Sequence, residues 1–219
     1  MTGTVLSTRP SKIVCVGLNY VDHANEVALD LPERPLLFAK WPSALIGDGD
    51  PIVIPQGITR VDYEAELAVI IGETTRNIDV EDALDAVRGY TCLNDVSARD
   101  EQFADGQWTR GKSFDTFCPV GPHVVPAAEL GDPNALWISC RVNGQTVQES
   151  TTADMIFDVA HLIAYISRGI TLEPGDIVAT GTPPGVAFGS PNGRFLSDGD
   201  TVEVEIEGIG VLRNDVRCA

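Results

Sequence analysis

Over residues 201–207 the chain alternates without a break, with Val202, Val204 and Ile206 on one face and Glu203, Glu205 and Glu207 on the other. A period of two predicts a half-buried strand whose acids stand in water. Gly208 and Gly210 then permit a turn into a second strand over 211–216. Residues 67–71 read differently: they are continuously apolar, as in a strand covered on both faces. Shorter apolar runs at 12–17, 36–40, 52–54, 90–93 and 177–180 predict further strands, with Gly, Pro and Asp turns between them. Residues 137–142 and 146–148 flank Asn143-Gly144, a hairpin signal. A period near 3.6 is clearest over 151–168, where apolar residues fall at 155, 156, 159, 162, 163 and 166. Thr151 or Thr152 would cap that helix and Gly169 would end it. Asp79 is placed to cap a second helix running to Val87, with Gly89 after it. Residues 19–29 read as a short helix or lid.

No repeat, charge block or low-complexity linker interrupts the 219 residues, so the expectation is a single strand-rich domain behind a short segment of about 1–11. The net charge is −17, which argues against nucleic acid or an anionic membrane as partner, since both need clustered Lys and Arg. A small anionic substrate stays open, because a local cation overrules the global field. The five cysteines include no C-x-x-C pair, and they read as reduced, mostly buried thiols rather than a zinc site. Neither a signal-peptide core nor an apolar run of about 20 residues is present, and a cytoplasmic location is expected.

The chemistry starts at Tyr63-Glu64-Ala65-Glu66. In an extended chain Glu64 and Glu66 project to the same face, at the head of the buried strand. Two poorly solvated like charges repel, so one takes up a proton or a cation sits between them, and a hard cation with oxygen ligands is the economical answer. The Glu-x-Glu of 203–205 has the same spacing but a solvated setting, so spacing alone is weak. Asp95, in Asn94-Asp95, follows the apolar run at 90–93 and offers a third carboxylate where a strand passes into a loop. The plain alternative for it is a turn or helix cap. His23 and Glu26 would be neighbours on a helix, where Glu26 can orient the imidazole; an exposed i,i+3 pair is the plain alternative. Arg99 can anchor a carboxylate or serve an ion pair. The chain has only three lysines, and of these Lys40 and Lys112 follow apolar or Gly-containing segments where an ammonium can stabilise charge on oxygen; a surface lysine is the plain alternative for either. The loop Thr180-Gly181-Thr182-Pro183 can offer N–H groups and a hydroxyl to an anion.

Taken in order, these segments resemble the fumarylacetoacetate hydrolase (FAH) superfamily. The resemblance runs from about Lys12 to Val216, through Gly17-Leu18-Asn19-Tyr20 with His23 and Glu26, Phe38-Ala39-Lys40, Tyr63-Glu64-Ala65-Glu66, Asn94-Asp95 with Arg99 and Gln102, Gly111-Lys112-Ser113-Phe114-Asp115, Thr152-Ala153-Asp154 and Thr180-Gly181-Thr182-Pro183. It implies an α+β, β-rich fold, a mixed sheet rolled on itself with peripheral helices, usually as a homodimer. It implies Mg²⁺ or Mn²⁺ on Glu64, Glu66 and Asp95, with His23, Glu26, Lys112 and Gln102 as catalytic groups. Arg99, Thr182, Lys40 and Tyr20 would bind substrate. The extra aspartate ligand of the long fumarylacetoacetase has no counterpart near Cys15 and Val16, and the chain resembles the compact members of the superfamily.

For such a site the primary expectation is hydrolytic C–C cleavage of an acylpyruvate such as fumarylpyruvate or acetylpyruvate, with His23 activating water. The alternatives on the same site are oxaloacetate decarboxylation or tautomerisation and 2-hydroxyhepta-2,4-diene-1,7-dioate isomerisation/decarboxylation. A metabolite-binding protein without turnover, or a structural β module without metal, are readings of another class.

Overall fold

The computed structural model describes residues 6, 9–22, 31–104, 106–190 and 193–219. Its strands are β1 (Ile13–Gly17), β2 (Leu36–Lys40), β3 (Leu45–Ile46), β4 (Ile52–Ile54), β5 (Val61–Asp62), β6 (Ala65–Ile71), β7 (Val87–Asn94), β8 (Ser97–Ala98), β9 (Cys118–Pro126), β10 (Trp137–Val142), β11 (Gln145–Thr151), β12 (Ile177–Ala179), β13 (Thr201–Ile206) and β14 (Gly210–Cys218). Its helices are short: α1 (Arg99–Gln102), α2 (Trp108–Lys112), α3 (Ala127–Leu130) and α4 (Val159–Ser167). The strands form a seven-stranded sheet in the order β2-β1-β12-β6-β7-β9-β3 and a five-stranded sheet in the order β11-β10-β13-β14-β4, with β5 and β8 as a separate pair. Parallel pairs (β1 with β12, β14 with β4, β3 with β9) join otherwise antiparallel ladders. The expected β-rich, curled mixed sheet with few peripheral helices is therefore what forms.

The continuous apolar run of β6 follows from its place between β12 and β7, near the middle of the larger sheet. All seven of its residues are buried. Ala65, Leu67, Val69 and Ile71 face the main core, while Ala68 and Ile70 face a second cluster with Ile13, Cys15 and Leu93. Glu66 shares that second face by the period of two. The alternating segment becomes β13 as expected, and Glu203 and Glu205 pair with Arg141 of β10 at 3.0 and 2.6 Å.

Two helical expectations need correction. The stripe over 151–168 does not make one helix. β11 runs through Thr151, a single 3₁₀ turn follows over Thr152–Asp154, and α4 starts only after Asp158, whose carboxylate accepts from the His161 N–H. The apolar positions 155 and 156 instead serve pairing with the residues after β1: the Ile156 N–H donates to the Asn19 carbonyl, and Tyr20 bridges Met155. The segment after Asp79 is a 3₁₀ helix over Val80–Ala86, and Gly89 lies within β7 rather than ending a helix. Most of the expected lid at 19–29 lies outside the described residues. The thiols of Cys15, Cys92, Cys118 and Cys140 are buried and unpaired in disulfides, and Cys218 is exposed. Among the described residues no helix is long and apolar enough to cross a membrane.

Candidate metal centre

Strand register assembles the three acids. In the β6–β7 ladder Ala65 stands opposite Asn94, so one residue further out Glu64 stands opposite Asp95. The Asp95 N–H donates to the Glu64 carbonyl at 2.9 Å, and the Asn94 side-chain carbonyl accepts from the Glu64 N–H at 3.0 Å. Glu66, two residues along β6, adds the third carboxylate to the same face. Carboxylate oxygens of Glu64, Glu66 and Asp95 lie within 4.8 Å of one another, and all three residues are buried.

Cations close around them. Lys40 lies 2.5 Å from Asp95 Oδ1 and also donates to the Val96 carbonyl. Lys112 lies 2.6 Å from Glu64 Oε2 and 2.9 Å from Asp95 Oδ2. Arg99 lies 2.6 Å from Glu64 Oε1 and 2.8 Å from Asp62 Oδ2. Burial alone would lower the Lys112 and Arg99 pKa values, but the neighbouring carboxylates outweigh it and hold both cations above their usual range. Glu66 is the exception. Burial pushes its carboxyl well above the ordinary value, and Asp95 and Glu64 add to the push. Its Oε2 accepts the Gly181 N–H at 2.9 Å, and among the described residues it forms no ion pair. Gly181 is at φ +98°, and a Cβ there would stand 2.8 Å from that of Asn19, so only glycine turns this N–H onto Glu66.

Four acids, Asp62, Glu64, Glu66 and Asp95, thus meet three cations, which leaves one buried negative charge in a cradle of oxygens. A hard divalent ion fits that donor set and that surplus. A site of this kind needs a cation or a proton on Glu66 to avoid an uncompensated buried charge.

A cavity of about 360 Å³ opens over the acids. Glu64, Glu66, Arg99, Gln102, Lys112 and Thr182 line it. Gln102 Oε1 accepts from Arg99 Nη1 at 2.7 Å. The Thr182 hydroxyl donates to the Ala65 carbonyl and accepts from Gln148 Nε2. Lys40 and Tyr20, expected to contact substrate, are fully buried and stand behind the cavity rather than in its lining. Lys40 is committed to Asp95, and the Tyr20 hydroxyl has no hydrogen-bond partner among the described residues. His23 and Glu26 lie outside the described residues.

Sequence reasoning missed Asp62. It is fully buried; its Oδ1 accepts from the Tyr63 and Ala187 N–H groups, and its Oδ2 accepts from the Phe188 N–H and from Arg99 Nε. It therefore fixes Arg99 and the 187–188 backbone to one point. The signal was present: Asp62, Glu64 and Glu66 continue one period of two. Gln148 was also missed. It ties the Ala65 N–H to Thr182 and Pro183 from a strand remote in sequence, which no local pattern announces.

Comparison with known proteins agrees with this geometry. Residues 12–217 match the family model described as fumarylacetoacetate (FAA) hydrolase, C-terminal. The chain is 48% identical over 210 residues to a mitochondrial oxaloacetate tautomerase of Rattus norvegicus, covering 95% of this chain and 67% of the rat protein. The crystal structure of a 2-hydroxyhepta-2,4-diene-1,7-dioate isomerase from Mycobacterium marinum is similar at TM-score 0.86 and 43% identity, over 97% of this chain and 77% of that one. A 5-carboxymethyl-2-hydroxymuconate delta-isomerase from Mycobacterium smegmatis is similar at TM-score 0.87 and 41% identity, over 99% and 82%.

Proposed function

The chain belongs to the fumarylacetoacetate hydrolase family, and from that premise we propose that it is a divalent-metal-dependent enzyme that interconverts the keto and enol forms of a 2-oxo acid. The observation that carries this reading is the buried triad of Glu64, Glu66 and Asp95 with its surplus negative charge, open to a cavity beside Lys112. The three similar proteins described above carry tautomerase or isomerase names, while a solved structure at 43% identity is named a fumarylacetoacetate hydrolase; the relatives' names favour this branch over the C–C hydrolysis expected first.

A Mg²⁺ or Mn²⁺ ion on the triad would supply Lewis acidity toward the keto oxygen of the substrate. The side chains do the rest. Lys112 stabilises negative charge on that oxygen as the proton leaves C3. Gln102 and Arg99 line the same cavity and orient the substrate carboxylate. Thr182, held from behind by Gln148, fixes the cavity wall. Transfer of the proton from C3 to oxygen is assigned to His23, which has Glu26 three residues on in the sequence, so the reaction balances without water or redox partner. A small 2-oxo acid is the partner this site takes.

The test is the decay of enol oxaloacetate followed by ultraviolet absorbance, with Mg²⁺ or Mn²⁺ and with chelator. Metal-dependent acceleration is expected. Decay at the buffer rate, together with conversion of acetylpyruvate to acetate and pyruvate by NMR, would overturn the reading in favour of hydrolysis.

A further inference from the structure

Among the described residues that line it, the cavity is polar at its floor and apolar elsewhere. One wall is built by Leu36, Phe38 and Trp108, the other by Phe103, Val186 and Phe188. Both walls are organised. Trp108 packs edge-on against Phe38 with ring centroids 5.4 Å apart. It reaches that position because residue 17 is glycine: a Cβ there would lie 2.7 Å from the Trp108 ring and 2.9 Å from Leu36. On the other wall the Phe103 and Phe188 rings pack with centroids 4.8 Å apart and planes tilted by 34°, while remaining 47% and 43% exposed. Phe188 is held there by its N–H to Asp62 and by Arg60 and Arg99 against its ring, at 5.6 and 5.7 Å. Large aromatics pinned in contact with solvent at a cavity mouth mark a surface meant for an apolar ligand.

Charge points the same way. Among the described residues the cations lining the cavity are Arg99 and Lys112, both at the floor and both already paired with carboxylates. Arg60 approaches Phe188 and Phe195 by their rings and is not part of the lining. A second carboxylate at the far end of a substrate would therefore lose water without gaining a cation. A hydrocarbon group in the same place gains about 0.8 kcal/mol for each buried methylene, close to a fourfold change in affinity.

We propose that the outer half of the cavity is a subsite for an apolar arm on the C3 side of the substrate, so that the chain prefers 2-oxo acids with a hydrocarbon tail to short or dicarboxylic ones. This deepens the 2-oxo acid reading and rests on it. The test is calorimetric binding of pyruvate, 2-oxohexanoate and 2-oxoglutarate to the Mg²⁺-loaded protein, after a separate titration has shown that the metal binds. The inference expects 2-oxohexanoate to bind at least tenfold more tightly than pyruvate and more tightly than 2-oxoglutarate. It also expects Phe188→Ser, a change at a partly exposed side chain, to reduce the advantage over pyruvate at least threefold. Equal affinities, or preference for 2-oxoglutarate, overturn the apolar subsite and leave the 2-oxo acid reading standing. Binding of none of the three by metal-loaded protein overturns both.

Discussion

Lys112 Nζ stands 2.6 Å from Oε2 of Glu64, at the edge of the acidic triad, and it also reaches Asp95 at 2.9 Å. One ammonium thus occupies oxygens that a divalent ion would share. Lys112→Met should leave Mg²⁺ affinity unchanged or tighter, since a competing positive charge is gone. Turnover should still fall by about 10²–10³, the usual cost of losing one donor to a developing oxyanion. Calorimetry with Mg²⁺ beside enol-decay rates checks both halves. A variant that loses metal binding along with turnover would show that Lys112 organises the triad rather than the reaction.

Glu66 forms no ion pair among the described residues, and burial disfavours its charged form. Replacing it by Gln removes the surplus charge and keeps an oxygen for the Gly181 N–H. Metal-free Glu66→Gln should therefore melt no lower than the metal-free parent, because an uncompensated buried charge is costly. The parent should gain stability with Mg²⁺ by linkage, and the variant should lose most of that gain. Thermal melts with and without Mg²⁺ give the answer, and an equal metal-dependent shift in both proteins would remove Glu66 from the ligand set.

Much of this centre was legible in the sequence because strand periodicity is local: Glu64 and Glu66 two apart, and Asp95 at the end of an apolar run, needed only the β6–β7 register to meet. Lys40 was legible as a special lysine but not as a buried partner of Asp95, since that depends on β2 lying three strands from β6, with β1 and β12 between them. The helix expected over 151–168 failed at its first turns, where pairing of 155 and 156 with the segment after β1 overrode the apolar period. The aromatic walls were invisible for a similar reason. Phe103, Trp108 and Phe188 come from separate segments and share no sequence pattern.

Asp62 holds Arg99 and two backbone N–H groups of residues 187 and 188 on one buried carboxylate. Asp62→Asn replaces one acceptor oxygen by a donor that must face other donors. An unsatisfied buried group costs about 1–3 kcal/mol, and more where a charge such as Arg99 is involved. The variant should melt lower, and its KM should rise more than its kcat falls, because Arg99 and Phe188 line the cavity proposed to take the substrate and are not assigned to the reacting bond. A change in kcat alone, at unchanged KM, would contradict a positioning role.

Asp176 sits at a junction of two strands and is not among the residues that line the cavity. Its Oδ1 accepts from the N–H groups of Ser11 and Lys12 and from the Ser11 hydroxyl, and its Oδ2 accepts from the Glu173 N–H and the Lys12 ammonium. These bonds join the start of β1 to the start of β12. Burial opposes ionisation of Asp176, but the bonds from Lys12, Glu173 and Ser11 outweigh it and hold the pKa below the usual carboxylate value. The sign follows from linkage: the unfolded chain binds the proton first, near pH 3.9, so the contribution is complete above that pH and is lost as pH falls through the lower native value. Asp176→Asn should therefore be less stable than the parent at neutral pH, with the gap narrowing as pH drops from about 4 toward 2. Urea unfolding midpoints of both proteins across that window measure it, and a gap that stays constant with pH would show that the Asp176 charge contributes nothing to the junction.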